Sequence, residues 1–378
     1  MHINQLHFIN NDWTSSFADP DFNAENCQLV FVFGAPQLII APEIYNYLKI
    51  NYPAASIVFG STSGEIIGSD VYDDSIVATA IEFEKSAIVS TATHVSNHTN
   101  SYETGKYLMS QLDKENLDSV FVISDGTYIN GSELVAGFND NNPGKVPVTG
   151  GLAGDAARFT STFTGLNAVP SQGNIIAVGF YGDSLVVNHG SNGGWEEFGP
   201  QRTITKSDKN VLFEIDNKSA LDLYKEYLGE YVKELPGSAL LFPLSLSTDS
   251  SDKKLVRTIL SVNEDEKSMT FAGNLPEGSK VRLMKANFAK LVNASSAAAT
   301  DAGDSSPATE LAIMVSCVGR KLVLNERTED ELMAAKEIFG DKTIIAGFYS
   351  YGELSPLNKG SNCELHNQTM TITTFTER

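Results

Sequence analysis

The chain has 378 residues, 42% of them apolar, which suits a large folded core and excludes a disordered polypeptide. Its 27 basic and 47 acidic residues leave a formal charge of −20, the wrong sign for nucleic-acid backbones or anionic membranes. Three scattered cysteines, Cys27, Cys317 and Cys363, are too few for a disulfide framework.

The N-terminal stretch "MHINQLHFINNDW" has no basic start and no long apolar run, so it does not read as a signal peptide. Nothing in the chain approaches the ~18–20 apolar residues of a membrane helix. A soluble, cytoplasmic protein is the expectation.

In chain order, the first β-rich run is "LVFVFGAP" (29–36). "PEIYNYLKINYP" (42–53) follows, with a proline opening a helix and another closing it. The apolar "ASIVF" then leads into "GSTSGEIIGSD" (60–70), and "SIVATAIEF" (75–83) has the β-branched alternation of a strand. The same series returns twice. "SVFVISDG" (119–126) precedes the helix candidate "SELVAGFNDNNPG", the turn "VPVTGGLAGDAARF" and the strand "NIIAVGFYG" (174–182). "LAIMVSCVG" (311–319) precedes the helix "TEDELMAAKEIFG", the turn "IIAGFYSYGELSP" and the strand "QTMTITTF" (368–375). In the third helix, Thr328-x-x-Glu331 reads as a capping box, and Leu332, Ala335 and Phe339 form one apolar stripe. Val30 to Glu65 spans 35 positions, Val120 to Asp155 also 35, and Ala312 to Glu353 spans 41.

Three β-α-β-β units therefore predict a layered α/β protein with mixed sheets. Between the second and third units, "SALDLYKEYLG" follows the cap candidate Asn217 and reads as a helix. "KLVRTILSV", "KSMTFAG" and "SKVRLMKA" read as short strands, a small strand-rich insertion. "NFAKLVNASSAAATDAG" reads as a helix running into the flexible joint "GDSSPAT". The division expected on this pattern separates 27–218, with two units, from 219–376, with the insertion and the third unit.

Each unit ends its second strand in a glycine followed by an acid: Gly64-Glu65, Gly154-Asp155 and Gly352-Glu353. A glycine there permits positive φ or the close approach of a ligand. The acid either receives a ligand amine or satisfies orphan backbone donors of the turn. The first loops of the units differ, with Asp125 and Asn130 in one and Cys317 and Arg320 in another, which suggests a composite ligand site at the strand ends. "HGSNGGWEEFGP" (189–200) reads as a shaped loop, with Trp195 more readily a core plug than a pocket wall. Cys363 and His366 form a lone Cys-x-x-His, weak for zinc without a companion pair. No P-loop, H-E-x-x-H or G-x-S-x-G pattern occurs. A hydrolase or transferase using the glycine- and serine-rich turns and their acids is the competing reading.

Taken together, "GSTSGEI", "GGLAGD", "GWEEFGP", "NVLFEIDNKSALDLYKEYLG", "LPEGSKVRLMKAN", "SCVGR", "GFYSYGELSP" and "ELHNQTMTITTF" resemble the FIST family, in the order of its N-terminal and C-terminal domains. The resemblance covers nearly the whole chain from about Cys27. It implies a non-enzymatic small-ligand sensor, with an amino acid as ligand and a separate histidine kinase or cyclic-dinucleotide enzyme as partner. It also implies an alternative ligand, haem, with nitric oxide as the signal. Haem would need an axial ligand, expected from His366 or His189, with Cys317 and Cys363 as second choices.

Overall fold

A computed structural model describes residues 1–235, 237–247, 254–303 and 308–378. Three apolar strands stand at equivalent places: Leu29–Gly34, Leu117–Ser124 and Leu311–Cys317. Each pairs in parallel with the second strand of its own unit, respectively Ser56–Ser61, Val148–Leu152 and Ile344–Ser350. A parallel pair needs a crossover, and the helices Pro42–Asn51, Gly131–Asp140 and Thr328–Phe339 lie within those connections. On the other side each first strand pairs antiparallel with Ile76–Glu82, Asn174–Tyr181 or Met370–Glu377. The three β-α-β-β units are therefore present, in mixed sheets.

The sheets are completed by exchange. The short strand that leaves each glycine–acid turn joins a different unit's sheet. Glu65–Ile67 pairs with Ile344–Ser350, Thr164–Leu166 with Ser56–Ser61, and Gly352–Pro356 with Val148–Leu152. The opposite sides are exchanged as well: Ala87–His94 pairs with Asn174–Tyr181, Leu185–Asn192 with Met370–Glu377, and His2–Ile9 with Ile76–Glu82. His2 and His7 thus lie in a sheet strand.

The alternation of strand side chains explains why three sheets need one another. Phe31 and Phe33, Phe121 and Ile123, and Ile313 and Val315 meet in a single core. The intervening Val30 and Val32, Val120 and Val122, and Ala312 and Met314 face outward into three separate clusters, each covered by helices. Strands buried on both faces read as continuous apolar runs, which is how all three first strands appear in the sequence. Aromatic pairs bind the layers, with Phe31 and Phe121 at 5.1 Å and Phe33 and Phe348 at 4.7 Å between ring centres.

A fourth, eight-stranded sheet forms the insertion. Its long strand Glu196–Asp208 pairs with Lys280–Lys285 on one side and Val211–Ile215 on the other. Leu212, Leu221, Tyr224, Phe271 and Val281 give it a core of its own. The insertion is larger than the sequence pattern suggests, because the stretch read as a loop from His189 is mostly strand: Leu185–Asn192 lies in the third unit's sheet and Glu196 opens the long strand. The division near residue 218 falls inside this sheet. The joint expected over "GDSSPAT" lies largely outside the described residues.

Two caps differ from expectation. Ser219, not Asn217, caps the helix Ala220–Leu228 by accepting from the Asp222 amide at 3.2 Å. Thr328 donates to the Asn325 carbonyl and Glu331 turns inward to Arg320, so no capping box forms.

Gly347 lets its strand lie flush against its parallel neighbour: a Cβ there would run into the carbonyl oxygen of Met314. Gly347→Ala should cost about 3 kcal/mol, the upper range for a single substitution, and a urea melt should show it as a lowered midpoint with unchanged slope.

Candidate functional site

The three glycine–acid turns converge. The Ser63 amide donates to the Tyr349 carbonyl at 2.8 Å, the Gly154 amide to the Ser61 carbonyl at 2.8 Å, and the Tyr351 amide to the Leu152 carbonyl at 3.1 Å. Gly154 is flush against Ser63, and Gly352 is packed between Leu152 and Leu365, so neither position has room for a side chain.

The acids close these turns. Glu65 is buried and accepts from the Thr62 hydroxyl on one oxygen, and from the Ser75 amide (3.2 Å) and hydroxyl (2.8 Å) on the other. Glu353 repeats the arrangement with the Ser350 hydroxyl (2.7 Å) and the Thr369 amide (3.1 Å) and hydroxyl (2.8 Å). Asp155 gathers the amides of Phe159 (2.8 Å), Thr160 (3.0 Å) and Ser161 (2.9 Å), the Thr160 hydroxyl and the Tyr351 hydroxyl. Both oxygens of each acid are thus engaged internally.

The other candidates are placed as follows. Asp125 accepts from the Thr127 and Tyr128 amides, each at 2.7 Å, and from the Gly173 amide at 3.0 Å. Asn130 caps the helix Gly131–Asp140 and donates to Asn274 of the strand-rich unit at 2.9 Å. Arg320 is fully buried against Glu331, at 2.6 Å. Glu65 and Gly64 border a cavity, whereas Asp125, Asn130, Arg320, Gly352 and Glu353 lie away from it.

That cavity holds about 530 Å³ and lies where three units meet. Its walls are the first loop of the first unit (Ala35–Gln37), its turn (Thr62–Glu65) with Asp73 and Asp74, the segment Ala156–Arg158 after the second turn, and the third unit from Val318 to Thr328. Two cations, Lys321 and Arg158, share it with the acids Asp73, Asp74 and Glu326. Lys321 donates to the Ser63 carbonyl at 3.0 Å and to Asp73, and stands over the Tyr349 ring at 5.6 Å. Arg158 is exposed and has no hydrogen-bond or ion-pair partner among the described residues. Gly64 has φ +135°, a backbone conformation that strains any other residue, and the Lys321 ammonium packs over it, so the turn itself accounts for the glycine. Asp74 (φ 56°), Ala156 (φ 62°) and Asn325 (φ 52°) also hold the left-handed region, an unfavourable conformation that concentrates at ligand sites.

Sequence reasoning missed Asp73, Asp74, Arg158 and Lys321. Only "GDAARF", a single charge among small residues three positions after Asp155, carried a signal.

The histidines do not sit in such a place. His366 is buried at the end of the strand Cys363–His366, with Nε2 2.9 Å from the Ser355 carbonyl oxygen. His189 lies mid-strand beside a polar cavity bordered by Asp301, Asn358 and Lys359, whose apolar walls reduce to Pro356 and Leu357. These surroundings do not fit a haem, which needs an apolar cleft beside its axial ligand. Cys317 and Cys363 are buried with their thiol pKa values pushed up by desolvation, against thiolate ligation.

With this geometry established, family comparison places the molecule. The model for the FIST N domain matches residues 28–218 and that for the FIST C domain residues 220–356, so the chain belongs to the FIST family. FIST domains are small-ligand sensing domains of signalling proteins, sensory rather than catalytic. No curated protein matches the chain. No helix among the described residues is long and apolar enough to cross a membrane.

Burial raises Glu65 and Glu353 from the usual carboxylate range to about 7. Below pH 4.5 each is protonated in both folded and unfolded chains and costs nothing. Between 4.5 and 7 only the unfolded chain ionises, so stability falls as pH rises, by about 3 kcal/mol per acid once both states are ionised. Glu353→Gln should match the wild-type melting temperature at pH 5 and exceed it at pH 8.

Proposed function

We propose that the protein is a cytoplasmic sensor that binds a free amino acid in the Lys321–Arg158 cavity and acts through a separate signalling enzyme, a histidine kinase or a cyclic-dinucleotide enzyme. The observation that carries this reading is Arg158, a guanidinium at a concave mixed-charge site with no hydrogen-bond or ion-pair partner among the described residues. Its planar fork suits a carboxylate. Asp73 and Asp74, on the same cavity, suit the ammonium. Family membership supports a small ligand, and the converging turns explain why the site lies between units.

The competing enzyme reading has lost its candidate groups to structural duty, since the turn acids are engaged by the turns. The haem version of the sensor has little support, because His366 and His189 lack an apolar cleft.

Binding is tested by thermal shift with each of the twenty amino acids. At least one should raise the melting temperature. Arg158→Ala should weaken that ligand by about tenfold to a hundredfold, the loss of one charged hydrogen-bonding group, while leaving the ligand-free melting temperature unchanged. No shift with any amino acid, or an unaffected variant, would overturn the ligand assignment.

The partner is tested by pull-down from the host lysate. The −20 charge predicts an enzyme with a basic contact patch, and capture that weakens as salt rises. Recovering neither enzyme class, with or without ligand, would sink this part of the reading.

A further inference from the structure

The strand-rich unit is joined to the rest of the protein by two chain crossings. The chain enters it through Gly193–Trp195, between the strands Leu185–Asn192 and Glu196–Asp208. It leaves after the strand Lys280–Lys285 and passes into the helix Phe288–Gly303, which contains Leu291. One side chain grips both crossings. Arg320 donates to the Gly193 carbonyl at 2.6 Å and to the Leu291 carbonyl at 2.8 Å, and is neutralised by Glu331. The crossings are also tied to each other, since Glu196 pairs with Lys290 at 2.7 Å and accepts from Asn287 at 3.1 Å.

The next residue, Lys321, belongs to the cavity. Both sit on the short helix Val318–Leu324, which has two working faces. Val318, Lys321 and Leu322 line the cavity. Val323 and Leu324 pack with Leu291 in a cluster that takes in Trp195, Leu241 and Ala286 at the base of the strand-rich unit. A second route joins the same points: Tyr349 lies under the Lys321 ammonium and donates its hydroxyl to Glu331 at 2.8 Å, the acid that holds Arg320.

The seat of the strand-rich unit is polar and incompletely satisfied. Gln368 reaches the Leu240 carbonyl at 3.4 Å and Arg257 the Leu365 carbonyl at 3.0 Å. Both amide atoms of buried Asn367, Oε1 of Gln368 and Oγ1 of Thr258 have no partner among the described residues. Buried polar groups without partners lower the cost of parting such a surface, because water satisfies them when it opens.

We propose that the helix Val318–Leu324 is the transmission element of the protein: the state of Lys321 in the cavity sets the grip of Arg320 on both crossings, and so the seating of the strand-rich unit. This rests on the cavity being the ligand site. A carboxylate that draws Lys321 away from Ser63 and Asp73 would turn the helix and loosen the hinge.

Hydrogen exchange on the full chain tests the coupling without a ligand. Lys321→Ala, and Lys321→Met, which keeps most of the stem and removes the charge, should each raise exchange at least tenfold in peptides covering residues 193–198 and 286–292. Leu117–Ser124 should exchange as in the wild type, and Lys321→Arg should restore protection. Faster exchange confined to residues 62–75, or no change at all, would overturn the proposal. Failure of every amino acid to shift the melting temperature would remove the ligand but not the coupling, which the exchange pattern decides by itself.

Discussion

Each unit of this protein makes a sheet that is one strand short on either side. The constraint behind the fold is the need to pair those edges, since unpaired strand edges leave backbone groups to seek other chains. The solution is reciprocal. Glu65–Ile67 completes the third sheet, Thr164–Leu166 the first and Gly352–Pro356 the second. No unit can bury its inner face alone, because that face is covered by the other two. The single cluster uniting Phe31, Phe121 and Ile313 is the energetic counterpart of the exchange.

The exchange also answers why a glycine and an acid end each second strand. To change sheets the chain must turn at once, and a sharp turn leaves amide and hydroxyl donors without backbone partners. A buried carboxylate takes several of them together. Glu65 and Glu353 do so with the same geometry, a hydroxyl from three residues before and an amide–hydroxyl pair from the residue just ahead of the strand Ile76–Glu82 or Met370–Glu377. The recurrence of the motif is a property of the architecture.

How much of this was legible in the sequence follows from what each signal depends on. The first strands are buried on both faces, so their apolar runs announce them, and the alignment of Val30, Val120 and Ala312 holds because it rests on local pattern. The exchange was not legible, because three-residue strands such as Thr164–Leu166 have no periodicity and their partners lie in another unit. The strand from Glu196 was hidden by the glycines before it, and Ser219 took the cap because Asn217 sits at positive φ in the preceding turn. Arg158 and Lys321 were passed over for the same reason that Glu65 and Arg320 were noticed: repetition and motif draw attention to residues the fold needs, and recognition need not repeat.

That difference bears on where function arises in a repeated structure. At the three converging turns the units use similar groups, and those groups are satisfied. Specific chemistry enters where the units diverge. In the second unit the first loop closes on itself through Asp125. In the third it becomes the helix Val318–Leu324, which places Arg320 inside and Lys321 at the cavity. A lysine and an arginine side by side, one turned to a ligand-sized space and the other to the joints of a separate sheet, have no counterpart in the other two units. The asymmetry that opens a cavity is thus the same asymmetry that connects it to the strand-rich unit, and a loop change in one repeat accounts for both.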